Sequence, residues 1–378
     1  MNQYPIRILH IFTILNRGGA ESMLMNYYRQ LNRNELQFDF LVHRKEEGAY
    51  ENEIKELGGN IYRMPAINPI LPYKYYKTLD NFLKLHDYKI IHSHINSLSF
   101  YPLKVAYKNN IKIRIAHSHT AIYSFELTQL FFSFKETLKN FAKNCLRYGV
   151  RKYANQYFAC SRLAGKWLFG NCKEFEILNN AILPDYYIYN KEIAELMKSR
   201  FSLNDKIVIG HIGNFSFPKN YPFILKIFKE LISINQNYRL LLVGNGKQRN
   251  QIEQLTTDLM ISEYVIFTGT RNDIHNLLQM MDIMLFPSFF EGLPVTLIEA
   301  QAAGVKVIAS DSISFEVKIC DDIDFYSLNK TANFWANKVL ESYPYVRQDN
   351  SDEIKLNGYD VRERAIWLKN FYLNQYNK

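Results

Sequence analysis

Residues 289–304 read Phe-Phe-Glu-Gly-Leu-Pro-Val-Thr-Leu-Ile-Glu-Ala-Gln-Ala-Ala-Gly, with seven residues between the carboxylates Glu291 and Glu299. Just upstream, Asp-Ile-Met-Leu-Phe-Pro-Ser (282–288) is an apolar run closed by proline, which predicts a strand buried on both faces. Gly292 permits a turn. Pro294 suits the first turn of a helix, where its missing N–H costs nothing, and Gly304 is a natural C-cap. Val-Lys-Val-Ile-Ala-Ser-Asp (305–311) follows as another strand. The stretch therefore predicts strand, loop, helix and strand, with the loop at the carboxyl end of a parallel strand, where open α/β sheets bind ligands. The backbone N–H groups of residues 293–297 would form an anion site at the helix start. Glu291 would stand at its mouth and Glu299 about one and a half turns into the helix. Carboxylates beside an anion site suit a ligand with both phosphates and hydroxyls, such as a nucleotide sugar. For the spacing alone, an ordinary helix with two solvated glutamates is the plain alternative.

Working outward, the same alternation fills the chain. Strands are expected at 6–15, 37–43, 60–64, 89–94, 111–117 and 157–161, with helices between them, and a second series opens at 206–212. With 378 residues the chain is too long for one typical core, so two domains are expected. The first βα turn carries Asn-Arg-Gly-Gly-Ala-Glu (16–21), where a glycine pair lets backbone approach a ligand closely. Two later strand ends each present His-Ser-His: His92 and His94, then His117 and His119. That pattern could serve a metal, a substrate, or hydrogen bonding at a sheet edge. Lys135, Lys139, Lys143, Arg147 and Arg151 recur every fourth residue beside aromatics, either a solvated helix face or a stripe for anionic lipid. Asp322-Ile323-Asp324 reads as a surface turn.

The formal charge of +9 permits nucleic acid, anionic lipid or phosphorylated substrates as partners, yet no nucleic-acid motif is present. The 27 tyrosines and 26 phenylalanines suit sugar platforms or a greasy surface. Cys145, Cys160, Cys172 and Cys320 show neither C-x-x-C nor metal spacing, which points to a reduced, cytoplasmic setting. The first residues lack a signal-peptide layout, and no apolar run approaches the ~20 residues of a membrane span.

The string from Glu291 to Gly304 resembles the E-x7-E motif of the retaining glycosyltransferases of family 4, which have the GT-B fold. Other segments match the same family. Gly18-Gly19-Ala20-Glu21 is similar to the loop that closes over donor phosphates or acceptor. His119 in Ala-His-Ser-His-Thr matches a histidine placed near the donor sugar, with His117 as the neighbouring candidate. Gly213-Asn214 with Lys219-Asn220 resembles Gly-Arg…Lys-(Gly/Asn), whose Arg and Lys clamp the donor diphosphate. Lys219 matches, but Asn214 stands where Arg is usual, and an amide carries no charge. Arg17 and Arg271 are candidate replacements. Gly244-Asn245-Gly246 resembles the Gly-x-Gly near the nucleotide. Ile177 to Ile182 resembles an Asn-Gly segment in which Asn180 replaces Gly, Asn being the residue that next best tolerates the left-handed conformation.

The resemblance implies an α/β protein of GT-B fold: two doubly wound, Rossmann-like domains facing a cleft. The expected bounds are 1–185 for the acceptor domain, joined by a C-terminal helix at 359–378, and 190–345 for the nucleotide-sugar domain. It implies retaining transfer of a hexosyl or N-acetylhexosaminyl group from a UDP-sugar to a glycan or lipid-linked acceptor in bacterial surface polysaccharide synthesis. No metal and no other cofactor are expected. The expected catalytic residues are His119, Glu291 and Lys219. The expected donor contacts are Gly18, Gly19, Asn214, Lys219, Gly244, Arg271, Gly292, Leu293, Pro294, Val295, Thr296 and Glu299, with Glu299 on the ribose hydroxyls and Glu291 on the sugar ring. Residues 130–152 would touch an anionic membrane, and the protein would be cytoplasmic or peripheral at the inner membrane face. A nucleotide-sugar epimerase sharing the fold, distinguishable by its product, and a non-catalytic sugar-binding or partner subunit, which Asn214 keeps open, are the alternatives.

Overall fold

The computed structural model describes residues 5–120, 145–171 and 173–378. The chain divides into two compact units, Met1–Ala181 with Val361–Lys378, and Ile182–Asp360. The second unit thus begins at 182 rather than 190 and takes in residues 346–360 as well.

In the first unit, strands β1 (Ile6–Phe12), β2 (Leu36–Val42), β3 (Ile61–Arg63), β4 (Ile90–Ser93), β5 (Ile113–Ser118), β6 (Gln156–Ala159) and β7 (Glu176–Ile177) form one sheet in the order β3-β2-β1-β4-β5-β6-β7. Every pairing is parallel, and β1 meets β2 in the register Ile6↔Leu36 to Phe12↔Val42. All seven residues of β2 are buried, as in a sheet covered on both faces, including the polar Gln37 and the Asp39 that pairs with Arg7. In the second unit, β8 (Ile207–Ile212), β9 (Tyr238–Val243), β10 (Val265–Gly269), β11 (Ile283–Phe286), β12 (Lys306–Ser310) and β13 (Ile323–Tyr326) form a parallel sheet in the order β10-β9-β8-β11-β12-β13. Its core joins Ile209, Leu240, Leu285 and Ile308 of the strands to Leu225 and Phe228 of the helix Tyr221–Ile234 and to the wholly buried Trp335. Both sheets are Rossmann-like, as the fold reading expected.

Two local readings are corrected. Asp322-Ile323-Asp324 is not a surface turn: Ile323 and Asp324 open the edge strand β13, where Asp324 pairs with Lys306 at 3.0 Å. Asn180 is not left-handed; it is buried, with φ outside the positive range.

The C-terminal helix Val361–Asn377 belongs to the first unit. Val361, Ala365, Leu368 and Tyr372 are buried, and their spacing of four, three and four lays them on one face, against the helix Gly19–Gln30. The Tyr372 hydroxyl lies 2.6 Å from His92 Nδ1, and Lys369 pairs with Glu35 at 2.9 Å. Among the described residues no helix is long and apolar enough to cross a membrane. Of the basic stripe, Lys135, Lys139 and Lys143 lie outside the described residues. Arg147 and Arg151, on helical residues 145–153, are half-buried rather than free on a face, with Arg147 over the Trp167 ring and Arg151 over Tyr148.

Tyr372→Phe deletes one buried hydrogen-bonding group and strands His92 Nδ1, so urea unfolding should show a loss of about 1–2 kcal/mol; an unchanged midpoint would contradict the docking described.

Candidate functional site

Strand order reverses once in the second sheet. From β8 the chain steps outward to β9 and β10, then returns to β11 on the other side and proceeds to β12 and β13. The loops after β8 and β11 therefore diverge at the carboxyl edge, which is the ligand-binding crevice of such sheets. Lys219 comes from the first loop and Glu291 from the second, and they form an ion pair at 2.7 Å. Lys219 Nζ also lies 4.6 Å from the centroid of the Phe286 ring. Two further ties hold the loops together. Asn220, left-handed at φ 54°, donates from its side chain to Pro287 O at 3.1 Å, and Phe289 N–H donates to Pro218 O at 2.8 Å.

Glycine makes close approach possible behind Lys219. A Cβ on Gly213 would come within 2.9 Å of Lys219 Cε and 3.3 Å of His211 Nε2. Gly244 has φ +135°, and a Cβ there would stand 2.1 Å from Gly213 O. Gly244 N–H donates to Gly269 O, and Phe215 N–H to Asn245 O. The Gly-x-Gly thus packs the β8 and β9 loops together, a structural duty beside the nucleotide contact expected of Gly244. Asn214 is exposed on this edge. Arg271 is no free cation: its guanidinium is forked onto Asp273 at 2.9 and 2.7 Å. Arg249, which sequence reading passed over, lies with its guanidinium 5.7 Å from the Phe267 ring centroid and pairs with Glu253.

The helix Val295–Ala302 begins after Pro294, which is its N-cap rather than its first residue. Leu297 N–H is already taken by Pro294 O at 3.1 Å, so the anion site narrows from the expected 293–297 to the first helical residues, Val295 and Thr296, with no intrahelical acceptor before them. Gly304, at φ +60°, ends the segment as expected. Gln301 is wholly buried and pins this helix: its amide donates to Leu297 O and Val317 O, and its oxygen accepts from Ile319 and Cys320 N–H, all at 2.8–3.0 Å. Glu299 is half-buried and accepts from the Tyr187 hydroxyl at 2.9 Å, while desolvation pushes its carboxyl up to about 7. Tyr187 falls between the two expected domain bounds, and no motif marks it.

In the first unit the strand-end histidines do converge, joined by His10 of β1. Two layers result. In one, His10 Nδ1 meets His94 Nε2 at 3.0 Å, and His94 Nδ1 meets His119 Nε2 at 2.9 Å. In the other, His117 Nδ1 meets His92 Nε2 at 3.2 Å, and His92 Nδ1 meets Tyr372. The layers stack, with ring centroids 4.2 Å apart for His92–His94 and 3.9 Å for His117–His119. His10–His92–His94 and His94–His117–His119 each gather three ring nitrogens within 4.8 Å. At 2.9 Å the His94–His119 pair fits one shared proton; a tetrahedral ion about 2.0–2.1 Å from each nitrogen would hold them farther apart. His10 Nε2 is buried and unpartnered, which a bare lone pair tolerates better than an N–H. Protons then run from His10 to His94 to His119, and His119 presents Nδ1–H, unpartnered among the described residues. Burial drives His10 and His119 down to about 3 and His92, His94 and His117 well below the ordinary range. Gly18 is extended at φ −88°, and a Cβ on Gly19 would meet nothing within 4 Å. Gly19 leaves room at the helix start, while a Cβ on Gly18 would stand 2.4 Å from Glu21 Oε2.

These shifts carry opposite signs. Each cluster histidine stays neutral when folded but gains a proton near pH 6.5 when unfolded, so its contribution is whole above pH 6.5 and lost as pH falls toward the folded value, by about 1.4 kcal/mol per pH unit per group. Glu299 holds a proton when folded that the unfolded chain releases above about 4.5, so its contribution is whole below that pH and lost as pH rises to about 7. The urea midpoint should fall from pH 7.5 to 5. Glu299→Gln should gain stability relative to wild type as pH is raised from 4.5 to 8; a pH-independent difference would refute the Glu299 assignment.

The chain is similar to known proteins in sequence and in fold. The profile of the Glycosyl transferases group 1 family matches residues 192–331. The putative glycosyltransferase EpsF of Bacillus subtilis is 30% identical over 382 residues, covering 98% of this chain and 97% of that protein. The capsular polysaccharide biosynthesis glycosyltransferase CapH of Staphylococcus aureus is 24% identical over 383 residues, 98% of this chain and 99% of that one. The crystal structure of Anabaena Alr3699/HepE in complex with UDP-glucose superposes with a TM-score of 0.78 at 15% identity, covering 97% and 99% of the two chains. That last likeness speaks for the fold, which is GT-B. With EpsF 30% identical over nearly the whole of both chains, and with the family profile matched in the second half, the chain belongs to the group 1 glycosyl transferases.

Proposed function

We propose that the chain is a retaining glycosyltransferase of family 4 that moves a hexosyl or N-acetylhexosaminyl group from a UDP-sugar to a glycan or lipid-linked acceptor in bacterial surface polysaccharide assembly. The observation that carries this reading is the Lys219–Glu291 pair at the reversal point of the second sheet, beside the helix start that leads to Glu299. The name of CapH, with its capsular polysaccharide, and the UDP-glucose bound to HepE support the substrate class.

The donor diphosphate would lie against Lys219 and the N–H groups of Val295 and Thr296, a fixed positive field where leaving-group charge develops. Glu299, once ionised, would accept from the ribose hydroxyls in place of Tyr187, and Glu291 would accept from the donor sugar. The acceptor oxygen attacks the anomeric carbon on the face the diphosphate leaves. The carbon–oxygen bond to phosphate breaks with its electron pair going to the phosphate oxygen, and that oxygen takes the acceptor's proton. No separate base and no metal are required. His119 would donate its Nδ1–H to the transferred sugar. Segment 130–152 would rest on an anionic membrane at the cytoplasmic face, with Tyr148 and Lys152 exposed in its described part.

A thermal-shift screen against UDP-, GDP-, ADP- and dTDP-sugars should single out UDP-sugars; at 100 times its dissociation constant a ligand stabilises by about 2.7 kcal/mol. NMR of the product should show the donor's anomeric configuration kept. Asn214→Arg, at an exposed position, should tighten UDP binding roughly three- to tenfold by restoring a charge-assisted phosphate contact. No stabilisation by any nucleotide sugar, or inversion, would refute the proposal.

A further inference from the structure

Two triplets run side by side at the reversal point. Phe217-Pro218-Lys219 follows β8 and Phe289-Phe290-Glu291 follows β11. Their charged ends meet at 2.7 Å, and the Phe289 N–H at the start of the second triplet donates to Pro218 O in the middle of the first. Their aromatic ends stack: the Phe217 and Phe289 rings lie 4.9 Å apart, inclined by 20°. Phe217 is 51% exposed and Phe289 37%. By contrast Phe215 and Phe286, two and three residues earlier in the two segments, are wholly buried in the core.

A lone exposed phenylalanine needs no explanation. A stacked pair set beside a partly buried ion pair is different, because each ring is held in orientation by the other and by the loop tie below it. We infer that Phe217 and Phe289 form a platform for a pyranose ring. The inference rests on the donor site proposed above and adds a subsite to it. A pyranose has an apolar face of C–H groups and a rim of hydroxyls. Laid on these rings, its face covers apolar surface while its rim reaches a carboxylate acceptor, Glu291, and an ammonium donor, Lys219. An alkyl chain would cover the rings but offer nothing to the ion pair. The shared chemistry is that of a hexopyranose, whether carried by the donor or by the acceptor glycan.

The test measures wild type, Phe217→Ala, Phe289→Ala and Phe217→Leu, each checked for an unchanged melting temperature. Calorimetry follows UDP, UDP-glucose and UDP-N-acetylglucosamine, and saturation-transfer NMR follows methyl α-D-glucopyranoside. The expected result is unchanged UDP affinity with sugar affinity weakened roughly five- to tenfold in the alanine variants, and partly in the leucine variant, which keeps area but not a flat face. Loss for the UDP-sugars assigns the ring to the donor; loss for the glycoside alone assigns it to the acceptor. Sugar affinity kept in both alanine variants, equal loss of UDP and UDP-sugar, or no sugar contact by wild type in either arm overturns the platform. Wild type that binds no nucleotide overturns the donor-site reading instead, and the glycoside arm then decides the platform by itself.

Discussion

The Lys219–Glu291 ion pair is the constraint around which the second unit is arranged. Both side chains are about one-sixth exposed, so neither charge is fully solvated and each depends on the other. Removing one partner of such a pair leaves an uncompensated charge in a poorly hydrated place, which costs far more than the pair itself contributes. The pair exists only because β8 and β11 are neighbours although two strands separate them in sequence. It also needs Asn220 in the left-handed region, bare glycine at 213 and 244 behind the lysine, and backbone ties across the two loops. In the proposed donor complex a phosphate would meet at Lys219 a cation already positioned, so little ordering would remain to oppose binding.

The first unit solves the same topological problem with different chemistry. Its reversal point lies between β1 and β4, and imidazoles gather there instead of an ion pair. Burial keeps them uncharged, so five rings share a small volume without mutual repulsion. The C-terminal helix completes the arrangement by bringing Tyr372, 280 positions along the chain, to His92. That contact makes the last helix part of the first unit's core.

Much of the fold was legible in the sequence because strand, loop and helix signals are local. Apolar runs, Pro294 near a helix start and Gly304 past its end report on their own neighbourhoods, and most bounds fall within a residue or two, although the first strand ends at Phe12 rather than at 15. The E-x7-E string located the loop and helix of the site for the same reason. What stayed hidden depends on partners distant in sequence. Arg271 is the exception: its partner Asp273 stands only two positions on, but the residue types alone do not say that the two side chains meet. Tyr187 carries no motif, and only the packed helix Val295–Ala302 brings Glu299 to it. Asp324 resembled a turn because an edge strand has half the apolar signal of a central one. Asn180 was read by analogy with glycine, but it is buried and its φ is not positive. His10 stood alone in β1, and nothing in the spacing linked it to two later His-Ser-His segments.

The central claim is that Lys219 is the phosphate-binding cation of the second unit. Calorimetric titration of UDP into wild type and Lys219→Met tests it most directly, with the methionine keeping the stem of the side chain and removing the charge. A folded Lys219→Met protein should bind UDP tenfold or more weakly, as expected for a lost charge-assisted contact worth about 1.5–3 kcal/mol. Undiminished UDP affinity in that variant would contradict it.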